Sequence, residues 1–388
     1  MKRIRILSLL CLLLILTSCE NVKEIHNQAY AVGMGVDYIE DEYHVIIQFL
    51  DFSNVAKTDQ QKSAEPVPVW LAKGKGKTIE TALNDIFNTL QMRVNFEQLN
   101  LVLFGEKMIT STEQIEDAFN TFTSSFTVRL TAWSYITKEN LEDVFTSSVL
   151  FDFPFSYSRL NQPDEGSKQN ATVQAISLRE FVLQLNEKTK TTIVPSIKLN
   201  KDLMMKEKTK EPAAVIDGAY LFKDETYKGW LSLQELKGFI WTHNNSKRSV
   251  TEIEPDKGSI LAVELLEPHI ELKQDDVKES YNIEVDLTAL IKESVEKYVN
   301  QEEIKKEIET LVKEEVEKTY KTAKKLGADI FQLEDHAYRY HFKEWQKNKE
   351  DQKNITLSTV TINVKALYSV DKYKSRKNDA NTKREEIE

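Results

Sequence analysis

The chain has 388 residues, 29% charged and 40% hydrophobic, with a net charge of −10. That length allows two or three folded domains with ample core material, and the acidity argues against nucleic acid as a partner and against adhesion to anionic lipid through basic patches. The two cysteines are Cys11 and Cys19, both near the start, so the body beyond them is excluded from disulfides, CxxC redox chemistry and cysteine zinc sites.

The first stretch carries the strongest signal. Lys2, Arg3 and Arg5 form a positive head, and Ile4 to Leu16 is apolar apart from Ser8. This run is too short for a spanning helix, which needs about 20 residues. It ends in Leu16-Thr17-Ser18-Cys19, a small-residue cleavage site followed by cysteine. Leu-Thr-Ser-Cys resembles a bacterial lipobox. The resemblance implies cleavage between Ser18 and Cys19, an S-diacylglyceryl group on Cys19, and a new amino terminus open to N-acylation. Removing residues 1–18 takes away three positive charges and no acidic one, which moves the net charge to −13. The mature body is then tethered outside the cytoplasmic membrane by its lipid.

Asn21 to Gln28 reads as a linker. Strand signals follow at Ala31 to Val36, at Tyr43 to Phe49 with two-residue alternation, and at Val67 to Ala72, with a polar loop over Asp51 to Glu65. A helix begins at the N-cap Thr78, with Ile79, Ala82, Leu83, Ile86, Phe87 and Leu90 on one face. Leu99 to Phe104 is short and apolar, like a central strand. A second helix carries Ile115, Ala118, Phe119 and Phe122, and Val128 to Ile136 is rich in β-formers. This order predicts helices packed on a mixed sheet.

Asp152 to Asn170 marks a domain boundary by its proline, glycine and serine content. Ser177 with Glu180 forms a capping box, stapled by Ile176 and Phe181. Thr191 to Leu199 is a strand in which Pro195 favours an edge or a bulge. Asn200 to Pro212 is a lysine-rich loop, and a hairpin turns at Lys223-Asp224-Glu225. Ser232 with Glu235 makes a second capping box, stapled by Leu231 and Leu236.

Later, Ile260 to Leu272 is a long strand interrupted at Pro268, and Tyr281 to Leu287 alternates cleanly. Asn300 with Glu303 makes a third box before a long helix that Gly327 stops. Its stripe is Ile304, Ile308, Val312, Val316, Tyr320, Ala323 and Leu326, the period of a helix lying on a sheet rather than of a coiled coil. Glu302–Lys306, Glu309–Lys313, Glu314–Lys318 and Glu317–Lys321 are favourably ordered pairs. A shorter aromatic helix, a last strand from Val360 to Tyr368 and a charged tail complete the chain.

Motifs of chemistry fail on inspection. Gly74-Lys75-Gly76-Lys77-Thr78 resembles a phosphate loop, but Leu71 stands where the motif needs its first glycine. Gly33-Met34-Gly35 lacks a third glycine and reads as a bulge or a close backbone approach. The histidines His26, His44, His243, His269, His336 and His341 form no HExxH, and no GxSxG is present. The aromatic residues around Trp241 and Trp345 read as core packing, with a groove as the alternative. No catalytic, metal or cofactor-binding residue is predicted.

Beyond the lipobox, ordered blocks resemble the Ger(x)C family, the C subunits of spore germinant receptors. They are Glu24-Ile25 through Gly35-Val36-Asp37, Gly76 to Leu90 leading into Leu101-Val102-Leu103-Phe104-Gly105, Gly218-Ala219-Tyr220-Leu221-Phe222 through Gly238-Phe239-Ile240-Trp241, and the long helix leading to Ala328-Asp329-Ile330-Phe331 and Trp345. One departure is visible: members often have tryptophan after the lipid cysteine, where Glu20 stands. The resemblance implies an α+β body of three consecutive mixed α/β domains behind the signal peptide, with antiparallel or mixed sheets flanked by helices. The composition places these at 19–152, 171–250 and 258–370, the last holding the long helix 301–326, before the tail 371–388. The resemblance also implies no enzymatic activity, no cofactor, integral-membrane A and B subunits as partners, and residence on the spore inner membrane during the nutrient response. The alternative class is a substrate-binding lipoprotein of a transporter.

Overall fold

The computed structural model describes residues 28–50, 68–124, 129–254, 260–275, 280–294, 300–351 and 355–369. Cys19, the signal segment, the 51–65 loop and the 371–388 tail lie outside them.

β1 (Gln28–Ile39) and β2 (Glu42–Phe49) form a hairpin whose turn residues Glu40 and Asp41 have φ of 53° and 60°. Two left-handed residues match the twist of the flanking strands. β3 (Trp70–Gly76) pairs antiparallel with β2 and runs into α1 (Ile79–Thr89). Thr78 caps this helix in a box completed by Thr81 rather than by an acid, and Ile79, Ala82 and Ile86 face the core while Phe87 is exposed. Gly74 and Gly76 let this contact form: a Cβ on Gly74 would stand 2.2 Å from Ala82 O, and one on Gly76 2.3 Å from Thr81 Oγ1. The phosphate-loop look-alike is therefore a strand lying directly under a helix.

β4 (Arg93–Asn95) and β5 (Leu101–Gly105) follow, then α2 (Glu106–Ile109), α3 (Thr112–Ser124), β6 (Trp133–Thr137) and α4 (Leu141–Phe145). β5 is the predicted central strand, buried throughout and flanked in parallel by β1 and β6. Its alternate residues serve two cores: Val102 and Phe104 on one face, Leu101 and Leu103 on the other. The four apolar residues expected on the second helix are all buried. Gly33 and Gly35 do mark a bulge and a close approach, because the Phe145 ring lies against both.

α5 (Pro163–Gln169), β7 (Ile176–Ser177), α6 (Leu178–Leu185), β8 (Thr191–Asn200), β9 (Met205–Lys206), β10 (Thr209–Lys210), β11 (Ala213–Lys223), β12 (Thr226–Ser232) and α7 (Lys237–Thr242) come next. The Ser177–Glu180 box caps α6 as expected. The Ser232–Glu235 box also forms, but it closes a turn one step ahead of α7. Pro195 is not at an edge. β8 lies between β11 and β6, and its pairing with β6 begins only at Ser196, one residue past the proline.

The larger sheet has ten strands, in the order β12-β11-β8-β6-β5-β1-β2-β3, with β4 beside β1 and β7 beside β6. Its strands are drawn from residues 28 to 232. Along that order the narrowest seam is between β6 and β8, where Ile136–Ser196 and Thr137–Ile197 pair. Ile79, Ile115 and Phe181 of α1, α3 and α6 pack in one core; the opposite face shares a core with the C-terminal elements.

Those elements are β13 (Arg248–Ile253), β14 (Leu261–Asp275), β15 (Ser280–Ser294), α8 (Gln301–Lys325), α9 (Leu333–Tyr340), α10 (Phe342–Glu350) and β16 (Thr356–Ser369). They build a four-stranded sheet in chain order, antiparallel except for the β15–β16 pair. Pro268 sits in a bulge of β14 and does not end it. Asn300 caps α8 through Glu302 N, two residues on, without the predicted box. Of the four expected pairs, Glu317–Lys321 is formed at 3.3 Å. The α+β mixture and the mixed sheets follow the expected fold class.

Candidate functional site

The structure offers two regions for inspection: the joint that holds the C-terminal sheet to the rest, and the edge where the chain enters the fold. Cys19, the one predicted site residue, lies outside the described residues, and the nearest described residue is Gln28 at the head of β1.

The joint is built on α7, α8 and the turn 328–332. Gly238 of α7 sits against α8 so closely that a Cβ would stand 2.3 Å from Glu315 O. Thr319 is buried at this crossing. Its Oγ1 donates to Glu235 O at 2.7 Å and accepts from Gly238 N at 3.1 Å. Thr319 thus takes the core position that the predicted stripe gave to Tyr320. The Tyr320 hydroxyl turns to β16 instead and accepts from Leu357 N at 3.0 Å.

A second set of bonds ties the 328–340 segment to β8 and β11. Gln332 has φ of 59° and clamps Thr191, accepting from its N–H at 3.0 Å and donating to its carbonyl at 2.7 Å. Thr191 Oγ1 accepts from Asp329 N at 2.8 Å, and Thr189 Oγ1 donates to Asp335 Oδ1 at 2.9 Å. Lys223 pairs with Glu334, and Arg339 bridges Asp335 and Glu187, each at 2.9 Å. Burial pushes the Asp329 carboxyl above the usual range, although backbone N–H groups of Glu334 and Leu333 oppose it. The block Ala328-Asp329-Ile330-Phe331 is therefore part of a polar clamp between the two sheets.

The remaining candidates carry no shared chemistry. His336 and His341 fall five residues apart, yet α9 ends at Tyr340 and brings the two rings to 6.0 Å. The Tyr281 ring meets His336 edge-on at 5.4 Å and the Tyr340 ring lies tilted beside it at 4.7 Å. Burial and the neighbouring His341 lower the His336 pKa below the ordinary imidazole value. Burial, with Glu344 nearby, raises the Tyr281 hydroxyl to about 12. Trp241 is buried in the core, whereas Trp345 is half-buried with Tyr338 at 4.8 Å and Phe342 at 5.6 Å, so the two do not form one groove. An open cleft of about 1000 Å³ is lined by Arg159, Asp164, Lys247 and His269. Among the described residues no group of three or more His, Asp, Glu or Cys is placed to hold a metal, and no helix is long and apolar enough to cross a membrane.

Sequence reasoning missed the Thr319–Gly238 crossing and the Gln332 clamp. The only available signals were a small polar residue inside a helix and a glycine inside a short apolar run.

Comparison with known proteins is consistent across the chain. Residues 21–199 match the family described as spore germination protein N-terminal domain, and residues 217–372 match the C-terminal family described as spore germination B3/GerAC like. The putative spore germination protein YfkR of Bacillus subtilis (strain 168) is 23% identical over 91% of this chain and 94% of its own length. Spore germination protein B3 of the same organism is 26% identical over 35% of each chain. Spore germination protein A3, also from that organism, is 23% identical over 39% of this chain and 42% of its own. A crystal structure of the GerBC protein aligns with 89% of this chain and 100% of its own, at 15% identity and a TM-score of 0.48. The two family matches meet inside the larger sheet, the first ending in β8 and the second beginning in β11, its partner along ten paired residues. The chain belongs to the Ger(x)C family of spore germination proteins.

Proposed function

We propose that this protein is the lipid-anchored C subunit of a spore germinant receptor. It acts without catalysis: Cys19 carries the lipid, the body stands on the outer face of the spore inner membrane, and its surfaces dock onto integral-membrane A and B subunits. The observation that carries the reading is the match of both parts of the chain, in order, to the two germination families. The lipobox supports the anchor, and the clamp between the sheets supports a body that docks as a single piece.

The test is a Cys19→Ala strain. The account expects the protein to leave the membrane fraction and the nutrient response to fall, while germination triggered independently of receptors is kept. A Cys19→Ala protein that stays in the membrane and supports normal nutrient germination would contradict it.

A further inference from the structure

The end of the larger sheet where the chain enters the fold carries several exposed aromatic side chains. Leu50 N donates to Tyr30 O at 2.9 Å, and Phe49 pairs with Trp70. The start of β1, the end of β2 and the start of β3 therefore share one edge. Strands stand about 4.8 Å apart, so Trp70 at the start of β3 lies about 10 Å from Ala31, three residues into β1.

At this edge Trp70 is 64% exposed, and the segment after α4 adds Phe151 at 74%, Phe153 at 44% and Tyr157 at 50%. The rings are neighbours, with Phe151–Phe153 at 6.0 Å and Phe153–Tyr157 at 5.4 Å. A hollow of about 250 Å³ joins Phe153 to Phe49 and Val69 and is lined as well by Gln48, Asp152, Lys206 and Glu211; Trp70 alternates with Leu71, which faces the Phe155 core, and so stands on the other face of the same strand end. Single exposed apolar residues are ordinary, but a contiguous group marks a contact surface.

The backbone supports that reading. Phe151 and Asp152 have φ of 62° and 55°. A bulky residue rarely adopts this conformation, and such strain persists only where the surroundings hold it. Here Lys206 of β9 holds Asp152 at 2.8 Å. The strained turn points an aromatic ring into solvent, the reverse of what folding alone favours.

We propose that this edge contacts the lipid bilayer, with Trp70, Phe151 and Phe153 seated among the headgroups. The inference deepens the lipid-anchor reading and rests on it. Only residues 20–27 separate the lipid cysteine from β1, and at about 3.3–3.6 Å per residue the step from Cys19 to Gln28 spans roughly 30 Å at full extension. The entry edge is thus the part of the body held closest to the membrane. Aromatic side chains favour the interfacial layer. The tether makes their insertion an intramolecular step with a high effective concentration, so a modest patch suffices. The acidic body has no net attraction to anionic lipid, which leaves apolar contact to orient it.

The test uses the full lipidated protein in vesicles of phosphatidylglycerol and phosphatidylethanolamine with dibrominated acyl chains. Trp70 emission is obtained as the difference from Trp70→Phe, and flotation reports anchoring separately. The expected result is flotation with loss of the Trp70 emission, and a smaller loss in the Phe151→Ser/Phe153→Ser protein. Flotation with Trp70 unquenched overturns the proposal and leaves the anchor standing. Failure to float overturns the anchor reading and the proposal together. A photoreactive residue at position 153 in spore membranes separates the occupants: adducts with lipid support the proposal, whereas adducts with a membrane protein overturn it.

Discussion

Thr319 illustrates how much one side chain does at the joint. Its hydroxyl satisfies a half-buried carbonyl of the turn before α7 and a buried amide inside that helix, both under α8. Thr319→Val keeps the shape and leaves both groups unpaired, at a cost of about 2 kcal/mol. Urea denaturation of the protein checks this, and Thr319→Ser is expected to keep most of the stability. His336 makes a prediction about pH. Its pKa is held down in the fold by burial and by His341, while Asp335 opposes them. The unfolded chain binds that proton at the higher, ordinary value of about 6.5, so stability is lost as pH falls through that value. The groups facing His336 are Tyr281, Tyr340 and His341. His336→Gln is expected to flatten the acid limb of a melting-temperature profile; an unchanged limb would assign the effect to other groups.

Among the elements, the α7–α8 crossing is the contact most sensitive to volume. Gly238→Ala places a methyl against the backbone of Glu315, and such overpacking costs about 1–3 kcal/mol. Gly327 makes a contrasting case: with φ of 78° and nothing near its missing Cβ, Gly327→Ala costs about 1 kcal/mol from conformation alone, and Gly327→Asn less. Denaturation midpoints of the three variants check this ordering. The comparison also shows what could be read from residues alone. The apolar face of α3, that of α1 apart from the exposed Phe87, the Ser177–Glu180 box and the central place of β5 were legible, because helical period, capping chemistry and continuous burial are local properties. The left-handed stop at Gly327 was legible for the same reason. Thr319 was not, because its partners lie on an element more than seventy residues away, and only the packing of α7 on α8 turns a polar residue inward. Pro195 was legible in part: β8 is an inner strand, yet the proline lies where its β6 neighbour has not begun and one residue from the bulge in its pairing with β11. The strained turn at Phe151 left no local signal, since nothing in Leu-Phe-Asp-Phe-Pro demands a positive φ.

At the scale of the molecule, two sheets are held as one body by a continuous apolar core and by the Gln332–Thr191 clamp. Gln332→Ala removes both clamp bonds and the capping of an otherwise buried backbone, and is expected to raise hydrogen exchange at residues 189–192 and 328–335 without altering the distal β1–β3 edge. Uniform protection in the variant would show that the core alone fixes the two sheets. On the proposed reading, a body held in one piece behind a lipidated linker is suited to sit against membrane subunits rather than to close around a solute. The most direct measurement of that claim is mild crosslinking in spore membranes, followed by purification of this chain and mass spectrometry of what accompanies it. The account predicts two multi-spanning proteins crosslinked to its surface, and their absence, with transporter permease components recovered in their place, would contradict it.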